Sequence, residues 1–445
     1  MPRVSDIRAA IERELPGVLA DLTRLVAIES VSADPGREAD VDASAELVAE
    51  LIRGTGCEDV RIVREGGKPA VIAHFPAPAG MPTVCLYAHH DVQPTGGDAG
   101  WTTAPFTATE RDGRLYGRGA ADDKGGFAVH LAALRAFGGR PPVGVKLLIE
   151  GEEEIGSPSL GALLDAYADD LACDLFVITD SANWEVGTPA FTTSLRGLAD
   201  CVVTLEALDH PLHSGQFGGV APDALTAICK LLGTLHDDAG NVAVAGLHAG
   251  AGPEVDYSEE RFRAESGVLD DVGLLGEGPI SDRLWFKPAV SVIGLDARGV
   301  DEASNTLYPS ARAKIGLRVA PGGDADASLR ALTEHLQANA PWGTRVTVEP
   351  GETGPPALLG LEGRYAETAR AAFAEAWGVE PVPMGMGGSI PMAQEFADAV
   401  PGATVLITAV CDPHSNIHGF DESLHLGDFA KACLAEAYLL QGLAG

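Results

Sequence analysis

Short apolar runs alternate with amphipathic stretches over the first 180 residues of the chain. The runs at 70–75, 83–87, 145–149 and 175–178 are short and mostly apolar, which is typical of strands buried on both faces. Apolar residues at helical spacing predict helices at 7–26, kinked or split at Pro16, and at 42–52 and 126–137. This alternation of strands and helices predicts an α/β sheet covered by helices on both faces.

The pattern changes after about residue 190, where four further strands and two helices are predicted in βαββαβ order. That order is the signature of a ferredoxin-like α+β domain. Helices at 365–377 and 429–440 and a strand at 404–407 then resume the first style, so one domain interrupts the other. We therefore expect a catalytic domain at 1–189 and 356–445 with an inserted domain at 190–355. Residues 240–287 are glycine-rich and acidic and give no assignment. The inserted elements are strands 198–205, 290–295, 313–319 and 345–348 and helices 222–235 and 327–338.

Charge and cysteine usage narrow the function classes. The formal net charge of −33 over 445 residues argues against nucleic acid or an anionic membrane surface as a partner. No apolar stretch approaches the ~18 residues needed to span a bilayer. Seven dispersed cysteines indicate reduced thiols, and the first residues lack a signal-peptide core. A cytoplasmic protein is expected.

Candidate ligands follow the predicted strands. In open α/β sheets, ligands bind beyond the carboxyl ends of the strands. Imidazoles with carboxylates suit zinc or a neighbouring first-row ion, and one carboxylate to spare suits two ions bridged by an aspartate. The alternative is a set of solvated acidic turns and caps, which are common in so acidic a chain. The segments are His89-His90-Asp91, Asp122-Asp123, Glu152-Glu153-Glu154, Asp180 and the stretch from Asp412 to Glu422.

Several motifs together resemble a known family, the zinc-dependent M20 metallopeptidases. That family includes dipeptidases, carboxypeptidases and N-acyl-amino-acid deacylases. HHDVQP, HSGQFGG and GGSIP are most similar to its carnosine-type dipeptidase-like branch. The motifs occur in the family's order across nearly the whole chain: LTRLVAIESVS (22–32), YAHHDVQP (87–94), GRGAADDKGG (117–126), EGEEEIGS (150–157), PLHSGQFGG (211–219), GGSIP (387–391) and SNIHGFDES (415–423).

The resemblance implies two Zn²⁺ ions per subunit, with Mn²⁺ or Co²⁺ as alternatives. His89 and Asp180 would hold one metal, and Glu154 and His418 the other. Asp122 would bridge the two ions, and the Asp122–Asp123 peptide is expected to be cis. His90, His414 and His425 are not ligands in this alignment of motifs. Spacing alone leaves His414 open as an alternative to His418.

The resemblance also implies catalytic and binding roles. Glu153 would be the general base on a metal-bridging water, and Asp91 would orient the site. Glu152 falls where relatives tolerate other residues and is expected to be a bystander. His213 would polarise the scissile carbonyl, reaching across from the partner subunit of a homodimer formed through the inserted domain. The terminal carboxylate of the substrate would be bound by Arg318, Gly388 and Ser389.

Three functions remain open from the sequence. The leading one is hydrolysis of dipeptides or short peptides that have a free C-terminal carboxylate. An N-acyl-amino-acid deacylase or amidase would use the same residues. Met384-Gly385-Met386 stand where family dipeptidases often carry charged residues before GGSIP, which keeps that alternative open. The third function is that of a non-catalytic metal-binding homologue. The presence of Glu153 beside every predicted ligand argues against it.

Overall fold

The computed structural model describes residues 4–387, 395–396, 399–400 and 402–445. Gly388 and Ser389 lie outside the described residues. The chain divides into two units. The first comprises Met1–Thr193, Leu359–Met384 and Met392–Gly445, and the second comprises Ser194–Leu358 and Gly385–Pro391.

A mixed sheet forms the centre of the first unit. Thr83–His89 pairs in parallel with Gly144–Glu150 on one side and with Leu175–Ile178 on the other, and Thr404–Ile407 extends the parallel part. Every residue of Gly144–Glu150 is buried, as its mostly apolar run predicted. The carboxyl ends of these four strands therefore meet at one edge. The order along the sheet is Asp59–Val63, Ala70–Phe75, Gly144–Glu150, Thr83–His89, Leu175–Ile178, Thr404–Ile407 and Ala190–Leu195.

Helices of the first unit contribute to the same apolar core as its sheet. The first of them runs from Val4 to Val26 without a break, so the predicted split at Pro16 is wrong. Proline removes one backbone hydrogen bond, but buried Ile11 and Val18 on either side of it anchor both halves to the core. The longer helices are Val4–Val26, Glu38–Arg53, Lys124–Ala136, Arg364–Trp377 and Leu426–Leu443, and the shorter are Leu160–Ala166 and Ala168–Leu171.

The second unit is built on a four-stranded antiparallel sheet. Its order is Ala289–Leu295, Ser310–Val319, Gly197–Glu206 and Arg345–Gly354. Residues of Ala224–Leu232 and Ala325–Ala338 share the apolar core on one face of this sheet. Along Ser310–Val319, buried and more exposed residues alternate, as expected for a sheet with one covered face. This is the ferredoxin-like arrangement that the βαββαβ order predicted.

Several short elements have no counterpart in the sequence prediction. Residues 240–287 include the helices Glu259–Ser266 and Ile280–Trp285. None of the helices in the described part of the chain is long and apolar enough to cross a membrane. The other short elements are the helix Ser214–Phe217 and the strands Thr109–Arg111, Arg114–Tyr116, Leu212–His213, Thr306–Leu307, Ala357–Leu358, Val382–Met386 and Ser423–His425.

Candidate metal centre

Two histidines flank one aspartate at the edge where the parallel strands end. His89 is the last residue of Thr83–His89, and its Nε2 lies 3.1 Å from Oδ1 of Asp122. Nε2 of His418 lies 3.0 Å from the other oxygen, Oδ2. Each carboxylate oxygen of Asp122 therefore faces a different imidazole, as a bridge between two metal ions requires.

The remaining predicted ligands belong to the same cluster. Oε2 of Glu154 lies 3.1 Å from Nε2 of His418. Asp180 follows Leu175–Ile178, and one of its carboxylate oxygens lies within 4.8 Å of ligand atoms of both His89 and Asp123. The structure thus brings all five predicted metal ligands together, although their binding of metal stays a prediction.

Asp123 is a further carboxylate in the cluster, but both of its oxygens accept hydrogen bonds from backbone N–H groups. Its Oδ2 accepts a hydrogen bond from the His89 N–H at 3.2 Å, and its Oδ1 accepts one from the Gly126 N–H at 3.1 Å. It thereby caps the helix Lys124–Ala136. The Asp122–Asp123 peptide is cis, which confirms that expectation. Asp122 rather than Asp123 faces both histidines.

The charges of the cluster fit divalent cations. Burial, and then the charge of Asp180, raises the pKa of Glu153 to about 9, and burial raises that of Asp180 to about 7. Hydrogen bonds to Asp122 and Glu154 raise the pKa of His418 to about 10. Carboxylates outnumber imidazoles here, so extra positive charge stabilises the folded site. This mixed nitrogen and oxygen donor set suits zinc or another first-row ion.

Asp91 contacts both His89 and the loop that carries the glutamates, and its catalytic role stays a prediction. Nδ1 of His89 lies 3.1 Å from the Asp91 carbonyl oxygen and 3.4 Å from its Oδ1, so the proton is placed on Nδ1 and Nε2 is left to face Asp122. The carboxylate of Asp91 also accepts hydrogen bonds from the backbone N–H groups of Glu153 and Glu154, at 3.2 and 3.1 Å. One buried carboxylate thus fixes the predicted ligand His89, the predicted ligand Glu154 and the predicted base Glu153.

Gln93 is a contact that the sequence argument missed. Its backbone N–H donates to Oε1 of Glu154 at 3.1 Å, and its side-chain amide donates to Oε2 at 2.9 Å. Both oxygens of Glu154 are therefore oriented by one residue. The sequence offered one signal for this contact: Gln93 belongs to the motif YAHHDVQP and stands three residues after His90.

Glu152 is not a bystander, so that expectation is wrong. Its side chain is buried, and Oε2 accepts a hydrogen bond from the Lys68 N–H at 2.9 Å. Oε1 accepts from the Ser159 N–H at 2.7 Å and from the Ser159 hydroxyl. A Cβ on Gly67 would lie 2.3 Å from this carboxylate, so only glycine allows the approach. Glu152 therefore anchors the loop that presents Glu153 and Glu154.

Substituting Glu152 tests this anchoring role. Glu152→Ala leaves the N–H groups of Lys68 and Ser159 without their acceptor, which costs about 1–3 kcal/mol of unfolding free energy per group. We expect a lower Tm and a fall in kcat. Ser159→Ala removes only the hydroxyl donor and is expected to have the smaller effect on both. Thermal unfolding followed by circular dichroism and a steady-state assay check this; equal effects of the two substitutions would contradict it.

A buried ion pair joins three of the sequence motifs. The carboxylate of Glu422 accepts hydrogen bonds from the N–H groups of Gly119, Ala121 and Asp122, at 3.0 to 3.1 Å. Arg118 donates to Glu422 at 2.6 Å, and also to the carbonyl oxygens of Pro94 and Gly419. The backbone of Asp122 is thus held by the loop that carries His418. Sequence reasoning missed this pair because its partners lie some 300 residues apart.

The other histidines of these motifs have different contacts. His90 is buried, its Nε2 lies 2.9 Å from the Pro69 carbonyl oxygen, and burial lowers its pKa to about 4. His414 is exposed, and His425 caps the helix Leu426–Leu443. His418 instead adopts a positive φ of 61°, a conformation rare outside glycine, and its imidazole reaches Asp122 and Glu154. The geometry therefore favours His418 over His414.

The predicted catalytic residue His213 and the predicted substrate-binding residues lie in the second unit or outside the described residues. His213 ends the short strand Leu212–His213 and is exposed, and its Nδ1 accepts a hydrogen bond from the Gly215 N–H at 3.0 Å. Arg318 lies on Ser310–Val319 and is half-buried. Gly388 and Ser389 are not described. The roles of all four stay predictions.

Comparisons with known proteins agree on one family. The sequence profile described as "Peptidase family M20/M25/M40" matches residues 85–441. The chain is 34% identical over 430 residues to the cysteinylglycine-S-conjugate dipeptidase of Corynebacterium striatum, covering 95% of this chain and 94% of that one. It is 30% identical over 363 residues to the beta-Ala-His dipeptidase of Rattus norvegicus, covering 76% and 73%.

A solved structure supports the same assignment. The crystal structure of human carnosine dipeptidase 1 matches with a TM-score of 0.80 and 26% identity, covering 100% of this chain and 99% of that one. The predicted α/β fold with a separate antiparallel domain is therefore confirmed. The chain belongs to peptidase family M20/M25/M40, within the metallodipeptidase branch that its motifs had indicated.

Proposed function

We propose that this protein is a dinuclear metal-dependent hydrolase that cleaves the amide bond of dipeptides or short peptides with a free C-terminal carboxylate. The observation that carries the proposal is the position of Asp122, with one oxygen towards His89 and the other towards His418. Glu153 lies beside this group, with its Oε2 3.9 Å from Nε2 of His89. The proposed metals are two Zn²⁺ ions, or Mn²⁺ or Co²⁺.

The ligands would be shared between the two ions as the motifs implied. His89 and Asp180 would hold one, Glu154 and His418 the other, and Asp122 both. Bound there, the ions would lower the pKa of a water molecule towards neutrality and polarise the amide carbonyl. The hydrogen bond that Nδ1 of His89 donates to the Asp91 carbonyl oxygen, and the one that Gln93 donates to Glu154, keep His89 and Glu154 in place without the side chains having to reorganise.

Glu153 is the proposed general base and acid. Its carboxylate takes the proton of the attacking water and returns it to the amine that leaves, so the residue ends each cycle in its starting state. Without metal, burial and the charge of Asp180 raise its pKa to about 9. Two bound cations would lower that pKa, so that the carboxylate is free to accept the proton. Asp91 keeps Glu153 in position through the backbone hydrogen bond at 3.2 Å.

The second unit is proposed to supply substrate binding and dimer contacts. His213 would assist the oxyanion of the tetrahedral intermediate from the partner subunit, and Arg318 with Gly388 and Ser389 would bind the terminal carboxylate. The edge strand Ala289–Leu295 exposes Val292, Ile293 and Leu295, as a strand that pairs with a second copy would.

The cytoplasmic location proposed from the sequence rests on the seven dispersed cysteines.

A substrate panel tests the function. Cysteinylglycine, β-alanyl-histidine and an apolar dipeptide would be assayed beside N-acetyl and N-succinyl amino acids, with the metal-free and the Zn²⁺-, Mn²⁺- or Co²⁺-loaded protein. We expect metal-dependent cleavage of dipeptides at a kcat/KM well above that of any acyl substrate. Preference for acyl substrates would instead establish the deacylase. Failure to hydrolyse any of them would favour the binding homologue.

A further inference from the structure

Cationic side chains project from the uncovered face of the sheet in the second unit. On Ser310–Val319 they are Arg312, Lys314 and Arg318, since alternate residues of a strand share a face. Arg196 stands directly before Gly197–Glu206, the strand that pairs with Ser310–Val319. Three cations of this face have carboxylate partners: Arg312 lies 3.7 Å from Asp296, Lys314 lies 3.1 Å from Asp200, and Arg345 of the neighbouring strand Arg345–Gly354 lies 3.2 Å from Glu206.

Arg196 and Arg318 lie close together at one end of this pair of strands. Arg318 pairs with Leu198 and Val319 with Gly197, so the paired register ends directly beside Arg196 and brings its backbone next to the end of Ser310–Val319. Burial, and then the charge of Arg318, lowers the pKa of Arg196 to about 10. Neither arginine has an ion pair with any acidic residue in the described part of the chain, in contrast to Arg312 and Lys314. Two adjacent guanidinium groups without a counter-charge favour binding of an anion.

Arg196 also contacts the start of the GGSIP motif. Its backbone N–H donates to the Met386 carbonyl at 3.2 Å, and its Nε donates to the Gly387 carbonyl at 3.2 Å. A Cβ on Gly387 would lie 2.9 Å from Nη2 of Arg196, so the guanidinium packs directly on this glycine. Nε is therefore engaged by the protein, while the terminal N–H₂ groups have no hydrogen-bond acceptor among the described residues.

We infer that Arg196 is a specificity-determining residue that works with Arg318 to bind the substrate's terminal carboxylate. A carboxylate has two oxygens and lone pairs for several donors, so it can accept from both guanidinium groups at once. The contact with Gly387 fixes the plane of the Arg196 guanidinium, which reduces the entropy lost on binding. The inference rests on the proposed function for the identity of the anion, and it extends that function to a preference for free acids over C-terminal amides.

The test compares a dipeptide with its C-terminal amide, using the full-length zinc-loaded protein. For the dipeptide, Arg196→Gln is expected to raise KM by roughly 10- to 100-fold with little change in kcat. For the amide, KM stays near the wild-type value, so the preference for the free acid is lost. Arg196→Lys keeps the charge but not the planar fork and gives an intermediate KM. Arg312→Gln, on the same strand face but paired with Asp296, is the matched control and keeps the wild-type preference.

Two results would overturn the inference. Equal rises in KM for acid and amide, or a fall in kcat for both, would mean that Arg196 only positions the Gly387 segment. An unchanged preference in Arg196→Gln would mean that it has no role in carboxylate binding.

A binding measurement separates this inference from the proposed hydrolysis. Glycine and glycinamide are titrated calorimetrically into the metal-loaded wild-type and Arg196→Gln proteins. Selective binding of glycine that is lost in the variant supports the inference even if no peptide is hydrolysed. A wild type that does not prefer glycine over glycinamide refutes it even if peptides are hydrolysed.

Discussion

Glu153→Gln is expected to lower kcat by about 100- to 10,000-fold, the contribution typical of a positioned general base. Glutamine has nearly the same shape but cannot take up a proton. The backbone N–H of residue 153 still donates to Asp91, and none of the five proposed ligands is altered, so both metals should remain bound. Steady-state kinetics on the best dipeptide and metal analysis by mass spectrometry measure the two effects.

The exposed Glu58 provides the control for this substitution. Glu58→Gln makes the same chemical change on the surface of the same unit and should leave kcat at the wild-type value. A Glu153→Gln protein that retains wild-type kcat with its metals bound would exclude Glu153 as the base. Loss of metal from Glu153→Gln would instead indicate that Glu153 is a ligand.

Asp122→Asn is expected to reduce the affinity for both metals at once. An amide presents one oxygen and an N–H₂ group, so it cannot offer an oxygen to each side as the carboxylate does. The loss should exceed the ~10- to 100-fold that removing an outer partner of a ligand costs. Hydrolysis should fall below detection, and the rise in Tm that Zn²⁺ gives the wild type should disappear. Metal titration followed by thermal unfolding measures both.

A neighbouring aspartate serves as the comparison for Asp122. Asp112 is exposed and has a positive φ of 50°, which asparagine also tolerates, so Asp112→Asn should keep the Zn²⁺-dependent rise in Tm. Removal of one metal only by Asp122→Asn would show that Asp122 binds a single ion. Retention of both would place the bridge elsewhere.

The elements of the fold were predictable where burial imposes a local pattern. The strand at 404–407 was predicted with the bounds Thr404–Ile407 that the structure has, because a short apolar run between polar segments fits a central strand. The predicted split of the first helix at Pro16 was wrong for the opposite reason. The intrinsic cost of the proline is local, whereas the packing of Ile11 and Val18 that outweighs it comes from the rest of the core.

The site was predictable as a set of residue types but not as a set of contacts. His89, Asp122, Glu154, Asp180 and His418 were all identified from motifs, and all lie in one cluster. Glu152 was dismissed because its position in the motif is variable. Its partners Lys68 and Ser159 come from other loops, and nothing in the local sequence indicates them.

By itself, the sequence determined the two kinds of domain, the strands whose ends carry ligands, and the family whose motifs they match. These properties follow from the periodicity of neighbouring residues and from chemistry that is local to a motif. Only the tertiary structure decided which charges meet. The Arg118–Glu422 pair, the anchoring of Glu152 and the juxtaposition of Arg196 with Arg318 each join residues that are distant in the chain or on different strands. Their positions depend on sheet register and loop packing, which the pattern along one segment does not specify.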